Sequence, residues 1–228
     1  MELKKEACTQ MNNQIYGIIG GTGPEGQGIA LRLSRMGLQV AIGSRDDCKA
    51  KSVAQKIAEI IPEAKLEYGS NSLICKNSDI LFLATPYTAQ KSVLQTNVNQ
   101  LTEKILINVI APIDFKNGKF SALSVPEGSA AKQTQKLLPQ TKVVSAFQTI
   151  SATHLAEINS EIKSDVIVCS DFEDAKTFVI NLIAKIPTLT PIDGGGLENS
   201  VYVENFTVLL LNINKRYKTL SSIKIIGV

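Results

Sequence analysis

Three glycines near the amino terminus have the type and spacing to hold a pyrophosphate. Gly21, Gly23 and Gly26 form a G-x-G-x-x-G pattern within residues 17–26, directly after an apolar segment at residues 15–19. Because glycine has no side chain, this turn lets the backbone approach phosphate oxygens, and the helix that follows offers them free N–H groups. No Gly-Lys-Ser/Thr closes the loop, which excludes a Walker-type site. The pattern predicts a dinucleotide-binding turn, and a second motif has to identify the dinucleotide.

The residues after the second predicted strand favour NADP over NAD. An NAD-binding protein has an Asp or Glu there for the ribose 2′-hydroxyl, whereas this chain has Ser44 and Arg45. A hydroxyl and a guanidinium fork suit a 2′-phosphate dianion, and Lys49, one turn into the next helix, adds a third donor. Asp46 and Asp47 follow, and we interpret them as caps of that helix. The chain is therefore predicted to bind NADP.

Alternating strands and helices place these motifs in an α/β protein. The segment at 15–19, the glycine turn and the amphipathic segment after it have the order of a βαβ unit, with residues 40–45 as its second strand. Further strands are predicted at 66–68, 79–84, 105–108, 143–147, 165–169, 188–192 and 223–226, and further helices at 47–60, 71–76, 88–98, 129–138, 173–186 and 198–216. Residues 111–126 are rich in Pro, Gly, Asn and Asp and are predicted to form a loop over the strand ends.

This order of elements predicts a Rossmann-type doubly wound parallel sheet with a smaller C-terminal α/β domain. Residues 1–13 are polar and charged and are expected to form a flexible arm. The NADP-binding Rossmann domain is predicted to span residues 14–147, and the smaller domain residues 148–228.

The composition excludes several classes of partner. The 24 basic and 21 acidic residues are spread along 228 positions without a basic block, so no nucleic-acid binding is expected. Apolar runs such as residues 208–211 are far shorter than the roughly 20 residues of a membrane helix, and the start of the chain lacks the apolar core of a signal peptide. The four cysteines form no C-x-x-C pair, and one histidine is too few to complete a metal site with them. We therefore expect a cytoplasmic protein with reduced thiols, no metal and no membrane partner.

Six short segments in the same order carry a family resemblance. They are residues 20–23 (GGTG), 43–45 (GSR), 144–147 (VSAF), 165–169 (DVIVC), 193–195 (DGG) and 212–217 (NINKRY). With these segments the chain resembles the coenzyme F420-dependent NADP reductase family over residues 14–228. The resemblance implies hydride transfer between C4 of the nicotinamide and C5 of an 8-hydroxy-5-deazaflavin, stacked ring on ring. It also implies that NADP and coenzyme F420 are small-molecule substrates, and that residues 148–228 bind the deazaflavin and form a homodimer.

The resemblance further implies roles for individual residues. Thr22, Gly23, Pro24 and Glu25 line the pyrophosphate turn, and Ser44, Arg45 and Lys49 hold the 2′-phosphate. Tyr87 lies on the nicotinamide side, where family members often have Trp, and Lys91 approaches the cofactor one turn later. Ile113 lies near the ribose and Ala152 near the carboxamide, where a small residue leaves room for the ring. The deazaflavin site includes residues 220–223, with Ser221 among its contacts. No catalytic residue is expected, because the two cofactors carry the chemistry.

Two departures from the family pattern and two alternatives remain open. Gln148 replaces a histidine of some relatives, and Tyr87 is smaller than Trp, so both changes can alter deazaflavin affinity. One alternative is an NADPH-dependent reductase of a flavin, an imine or an iron chelate. The other is a non-catalytic NADP-sensing module whose long apolar helix at 198–216 contacts a protein partner.

Overall fold

A six-stranded parallel sheet forms the centre of the protein in the computed structural model, which describes residues 11–228. Its strands follow the spatial order β3-β2-β1-β4-β5-β8, and the order reverses between β1 and β4. The strands of this sheet are β1 (Ile15–Ile19), β2 (Gln39–Ser44), β3 (Lys65–Ser70), β4 (Ile80–Leu83), β5 (Ile105–Asn108) and β8 (Lys142–Ser145). Two further pairs are the antiparallel hairpin β6 (Ile113–Lys116) and β7 (Lys119–Ala122), and the parallel pair β9 (Ser164–Val168) and β10 (Leu189–Asp193).

Helices cover both faces of the large sheet. They are α1 (Pro24–Arg35), α2 (Asp47–Ile60), α3 (Asn71–Asn77), α4 (Tyr87–Thr96), α5 (Val98–Leu101), α6 (Ala130–Leu137), α7 (Ala152–Ala156), α8 (Glu173–Ile183) and α9 (Ser200–Tyr217). In β4, Phe82 packs into a core with α1, α2 and α8, whereas Leu81 and Leu83 pack into a second core with α3 to α6. Successive side chains of a strand point to opposite faces, so the apolar run of β4 supplies both cores. The predicted doubly wound sheet is confirmed.

The larger core continues past the predicted domain boundary at residue 148. Phe82 and Phe147 of the Rossmann part belong to the same cluster of buried side chains as Val166 of β9 and Val179 of α8. A single antiparallel bridge between Ser145 and Cys169 also links the end of β8 to the end of β9. Residues 148–228 are therefore packed against the large sheet through a shared apolar layer.

Two predicted elements differ from the structure. The segment 111–126 was expected to be a loop, but β6 and β7 pair within it, and Phe115 stacks on Phe120 across the hairpin. The predicted strand at 223–226 is wrong, because the end of the chain forms no strand and is held instead by contacts with Asp165. Periodicity alone did not show that a short Asn-Gly turn at 117–118 closes a hairpin.

Residues 1–10 of the predicted arm lie outside the described residues. At residue 11 the chain is already packed: Met11 is buried, and its carbonyl oxygen accepts a hydrogen bond from the Tyr16 hydroxyl at 3.1 Å. From residue 11 onward, no helix combines the length and the apolar character needed to cross a lipid bilayer.

Candidate dinucleotide and acceptor site

Two cavities open at the carboxyl edge of the large sheet, beside the point where the strand order reverses. One, of about 690 Å³, lies at the end of β2, and we call it the basic cavity because Arg45, Lys49 and Lys56 line it. The other, of about 480 Å³, lies at the ends of β4, β5 and β8, and we call it the apolar cavity. Both are lined by residues 84–86, which follow β4. Open α/β sheets bind their ligands at this edge and at this reversal, so the two cavities together form the candidate site.

Close backbone packing shapes the glycine turn between β1 and α1. The Gly21 amide donates to the Gly43 carbonyl oxygen at 2.8 Å and thereby ties the turn to the end of β2. A Cβ atom on Gly26 would lie 2.7 Å from the Gly21 Cα atom, closer than any side chain permits. Gly23 occupies the N-cap of α1 without a side-chain cap, so the first amides of the helix remain available to a phosphate. The requirement for glycine at position 26 thus has a direct steric cause, whereas a Cβ atom on Gly23 would lie 3.5 Å from the Gly20 carbonyl oxygen, an ordinary contact.

The basic cavity brings the predicted 2′-phosphate residues together. Ser44 ends β2, and its hydroxyl lies 3.4 Å from the Thr22 hydroxyl of the glycine turn. Arg45 and Lys49 are exposed, and in the described chain neither forms an ion pair with a carboxylate. Asp46 does not compete for them, because its carboxylate caps α2 by accepting from the Cys48 amide at 3.0 Å and the Lys49 amide at 3.2 Å. Two exposed cations beside hydroxyl groups fit a phosphate dianion.

Sequence reasoning missed two polar residues that α2 contributes to the basic cavity, Ser52 and Lys56. Both lie on α2 at three and seven positions after Lys49, and residues with this spacing share one face of a helix. That spacing was the available signal. It places a third cation beside the two predicted ones.

The apolar cavity contains most of the residues that were predicted to contact the nicotinamide and the deazaflavin. Tyr87 begins α4, Ile113 begins β6, Ala152 begins α7 and Ser221 lies after α9; all of them line this cavity. Asn214 of α9 holds Ser221 in place, because its Oδ1 atom accepts from both the Ser221 amide and the Ser221 hydroxyl at 2.6 Å. Four separate parts of the chain therefore contribute to the lining of one cavity.

Three buried polar atoms at the walls of the apolar cavity have no hydrogen-bond partner among the described residues: Glu25 Oε1, Thr85 Oγ1 and Gln148 Oε1. The other end of the Gln148 amide is fixed, since its nitrogen donates to the Asn108 carbonyl oxygen and to Ser145 Oγ, both at 2.8 Å. Buried polar atoms in native proteins are normally hydrogen-bonded. Their presence around a cavity fits a ligand with a polar edge, such as a carboxamide.

Glu25 lies in the apolar cavity, whereas its predicted neighbours Thr22 and Gly23 line the basic cavity. Burial raises the pKa of the Glu25 carboxyl from 4.5 to about 8. The N-terminal turn of α1, where Glu25 lies, favours a carboxylate. Burial nevertheless dominates, and no cation among the described residues offsets its effect on this pKa. The carboxyl is therefore mainly protonated at neutral pH in the free protein.

A buried arginine fixes α7, and with it Ala152, against α1. The Arg32 guanidinium donates to the carbonyl oxygens of His154 at 2.7 Å, Leu155 at 2.9 Å and Glu157 at 2.7 Å. These carbonyl groups lie at the end of α7, where the last carbonyl oxygens of a helix receive no hydrogen bond from within the helix. Gly28 allows the close approach, because a Cβ atom there would lie 2.6 Å from the Leu155 Cβ atom. Sequence reasoning missed both residues, since they contact no predicted ligand.

The segment after α9 is fastened by Asp165, which is 1 % exposed. Its carboxylate accepts from the Lys224 ammonium at 2.5 Å and from the Ile225 amide at 2.6 Å. The Asp165 amide in turn donates to the Ile223 carbonyl oxygen at 2.8 Å. These contacts hold the chain end that places Ser221 at the apolar cavity.

Two predicted contact residues lie at neither cavity wall. Pro24 is exposed at the first position of α1, where its fixed φ suits a helix start, and Lys91 is exposed on α4. His154 is half-buried, and its carbonyl oxygen accepts a hydrogen bond from the Arg32 guanidinium.

The fold, the glycine turn and the two cavities define a dinucleotide-binding protein of the Rossmann class. The model of the family described as "NADP oxidoreductase coenzyme F420-dependent" matches residues 15–112. The chain is 37% identical over 205 residues to the F420-dependent NADP reductase of Methanothermobacter thermautotrophicus, covering 87% of this chain and 88% of that one. It is 35% identical over 208 residues to the F420-dependent NADP reductase of Methanocaldococcus jannaschii, covering 89% and 93%. The chain belongs to the F420-dependent NADP reductase family, as its resemblance predicted.

A solved structure supports the fold. A protein from Arthrobacter sp. FB24 superposes with a TM-score of 0.81 at 23% identity, over 94% of this chain and 99% of that one. The agreement extends through the C-terminal part, which the family model does not cover.

Proposed function

We propose that this protein catalyses reversible hydride transfer between NADP(H) and coenzyme F420, an 8-hydroxy-5-deazaflavin. The observation that supports it most directly is that the two cavities are adjacent, because residues 84–86 line both of them. A dinucleotide with its 2′-phosphate in the basic cavity and its pyrophosphate on the glycine turn extends past these residues into the apolar cavity. The apolar cavity, at about 480 Å³, leaves space for a second ring against the nicotinamide.

In this proposal the protein binds the two substrates, orients their rings and excludes water from the space between them. Arg45, Lys49 and the Ser44 hydroxyl hold the 2′-phosphate, and Thr22 and Gly23 hold the pyrophosphate. Tyr87 and Ala152 lie on either side of the nicotinamide. Ile113 lies next to its ribose, and Ser221 contacts the deazaflavin. When both are bound, the two substrates supply the hydride donor and acceptor atoms, and correct stacking in a dry cavity accelerates the transfer.

The test is a spectrophotometric assay with NADPH and oxidised deazaflavin, in which loss of the deazaflavin absorbance reports turnover. Parallel reactions offer a flavin, an imine and a ferric chelate as the acceptor, and NADH as the donor. Turnover with the deazaflavin above that with the other acceptors is expected. Equal or higher turnover with another acceptor contradicts the deazaflavin assignment, and no turnover with any acceptor favours the NADP-sensing alternative.

We also propose that the protein is a homodimer that associates through one face of α9. Tyr202, Phe206 and Leu209 lie at helical spacing on that face and are 71%, 39% and 50% exposed. Sedimentation equilibrium of Leu209→Glu tests this, with Leu73→Glu as the control because Leu73 is 46% exposed on α3. We expect a dimer for the wild type and the control and a monomer for Leu209→Glu. A monomeric wild type removes the proposal.

The remaining expectations on partners and location are part of the same proposal. Residues 148–228 contribute the deazaflavin contacts, and the protein works in the cytoplasm without a nucleic-acid partner. Cys48, Cys75 and Cys169 are free thiols, which is consistent with a reducing compartment. Cell fractionation tests the location, and recovery of the protein in a membrane or extracellular fraction contradicts it.

A further inference from the structure

Glu25 is an unusual residue for the wall of an apolar cavity. Of the described residues that line this cavity, Tyr87 is the only other one with a titratable side chain. Glu25 Oε1 is inaccessible to solvent and lacks a hydrogen-bond partner in the described part of the chain. A carboxylate in such a place is costly unless it is paired, so the position points to a carboxyl that holds a proton or faces a cation.

Within residues 11–228, the surroundings of Glu25 provide no permanent counter-ion. Tyr87 faces the cavity from α4, and the lining residues from α9, such as Thr207 and Asn214, are uncharged. The helix α7, which packs against α1, carries His154, and Glu157 follows its last residue. Arg32 lies two turns further along α1, but its guanidinium is occupied by carbonyl oxygens at the end of α7. Burial raises the pKa of the Glu25 carboxyl to about 8, which agrees with this absence of a cation.

We propose that Glu25 carries the proton that accompanies hydride transfer: its carboxyl stays protonated beside an uncharged dihydronicotinamide and ionises beside the nicotinamide cation. This inference rests on the proposed function in placing the nicotinamide in the apolar cavity. It does not depend on which acceptor takes the hydride.

Charge and atom balance support this role. When NADPH is the donor, a C–H bond breaks and the hydrogen leaves with both electrons, so the donor gains one positive charge and the net reaction consumes one proton. Glu25 supplies that proton by breaking its O–H bond. The proton bonds to the heteroatom of the acceptor that gains the electron pair, in the proposed function a ring nitrogen of the deazaflavin conjugated with C5, and the Glu25 carboxylate then offsets the new positive charge on the nicotinamide. In the opposite direction the carboxylate takes the proton back as the cation disappears. The total charge of Glu25 and the nicotinamide ring is zero before and after the transfer, which suits a cavity with a low dielectric constant.

Binding measured without any acceptor tests the proposal. Isothermal titration calorimetry of the full chain with NADP⁺, with NADPH and with 2′,5′-ADP is performed between pH 7 and pH 9. For a carboxyl that titrates with a pKa of about 8, NADP⁺ affinity should rise about tenfold over this range and NADPH affinity should fall about tenfold. The fragment 2′,5′-ADP has the 2′-phosphate but no nicotinamide, so it accounts for any titration of the phosphate or of the basic cavity.

The isosteric variant Glu25→Gln provides the matched control, because its amide stays uncharged at every pH. It should bind 2′,5′-ADP as the wild type does and should lose the opposite pH dependences of NADP⁺ and NADPH. Titrations of the wild type in two buffers with different ionisation enthalpies add a measurement that needs no variant. At pH 7, NADP⁺ binding should release about one proton more than 2′,5′-ADP binding does.

Two results overturn the inference: the same pH dependence in the wild type and in Glu25→Gln, or no extra proton released by the wild type with NADP⁺. Failure of the proposed function is a separate result. If the protein releases the proton on binding NADP⁺ but does not reduce the deazaflavin, the acceptor assignment is wrong and the role of Glu25 stands. If it reduces the deazaflavin but releases no extra proton on binding NADP⁺, the role of Glu25 is wrong and the acceptor assignment stands.

Discussion

Replacement of Arg32 by methionine should destabilise the protein by about 3 to 4 kcal/mol. The guanidinium donates to four carbonyl oxygens within 3.3 Å, those of residues 154, 155, 157 and 160. A carbonyl group that loses its buried partner costs on the order of 1 kcal/mol, and more where water cannot replace the donor, as at Leu155. Methionine keeps the packing of the arginine stem, so the loss reports the hydrogen bonds.

Urea unfolding measures this change, with Arg35→Met as the matched control. Arg35 lies in the last turn of the same helix and is exposed, so its replacement removes the same charge and should change stability by less than about 0.5 kcal/mol. Because Arg32 holds α7, the folded Arg32→Met variant should also bind NADPH more weakly while its affinity for 2′,5′-ADP is unchanged. The reasoning is refuted if the two variants have free energies of unfolding within 0.5 kcal/mol of each other, a margin typical of surface substitutions.

Three further predictions address the site and its pH dependence. Arg45→Ala should weaken the binding of NADPH about ten- to a hundredfold and leave the binding of NADH almost unchanged, since one charge-assisted hydrogen bond is worth about 1.5 to 3 kcal/mol. Fluorescence titration measures both affinities, with Lys51→Ala as the control. Equal losses of affinity for both cofactors would remove the 2′-phosphate assignment. Gly28→Ala should cost about 1 to 3 kcal/mol in urea unfolding, because the added Cβ atom would lie 2.6 Å from Leu155 Cβ, and an unchanged midpoint would show that α7 moves freely. Burial raises the pKa of the Glu204 carboxyl to about 7, above its value in the unfolded chain, so its contribution to stability is present below pH 4.5 and is lost as the pH rises through 7. The free energy of unfolding should therefore fall between pH 5.5 and pH 8, with Glu25 acting in the same direction, and a rise over that range would contradict both shifts.

The Glu204 prediction combines two opposing effects that only the folded chain brings together. Its carboxylate accepts from the Ala130 amide at 2.8 Å and the Ala131 amide at 3.1 Å, at the start of α6, and these bonds favour ionisation. Burial of the side chain, which is 3% exposed, outweighs them. Glu204→Gln should therefore flatten the pH profile while losing one of the two accepted hydrogen bonds.

The sequence by itself determined the fold class, the cofactor-binding turn and the family. The glycine spacing requires a close backbone approach at Gly26, and Ser44 and Arg45 follow a strand whose end is fixed by the βαβ order. These are local properties, because they depend on residues close in sequence and on a known connection between neighbouring elements. Six segments in a fixed order gave the family without any geometry.

Only the tertiary structure decided which polar groups lie at the apolar cavity, and whether they are buried, protonated or hydrogen-bonded there. Glu25 is one position from the exposed Pro24, yet its Oε1 atom is buried, and it lines the same cavity as residues more than 50 positions away, among them Tyr87 and Ala152. The same is true of Arg32, whose partners lie more than 120 positions along the chain. Burial and long-range hydrogen bonds depend on how distant segments pack, and a local pattern contains no measure of either.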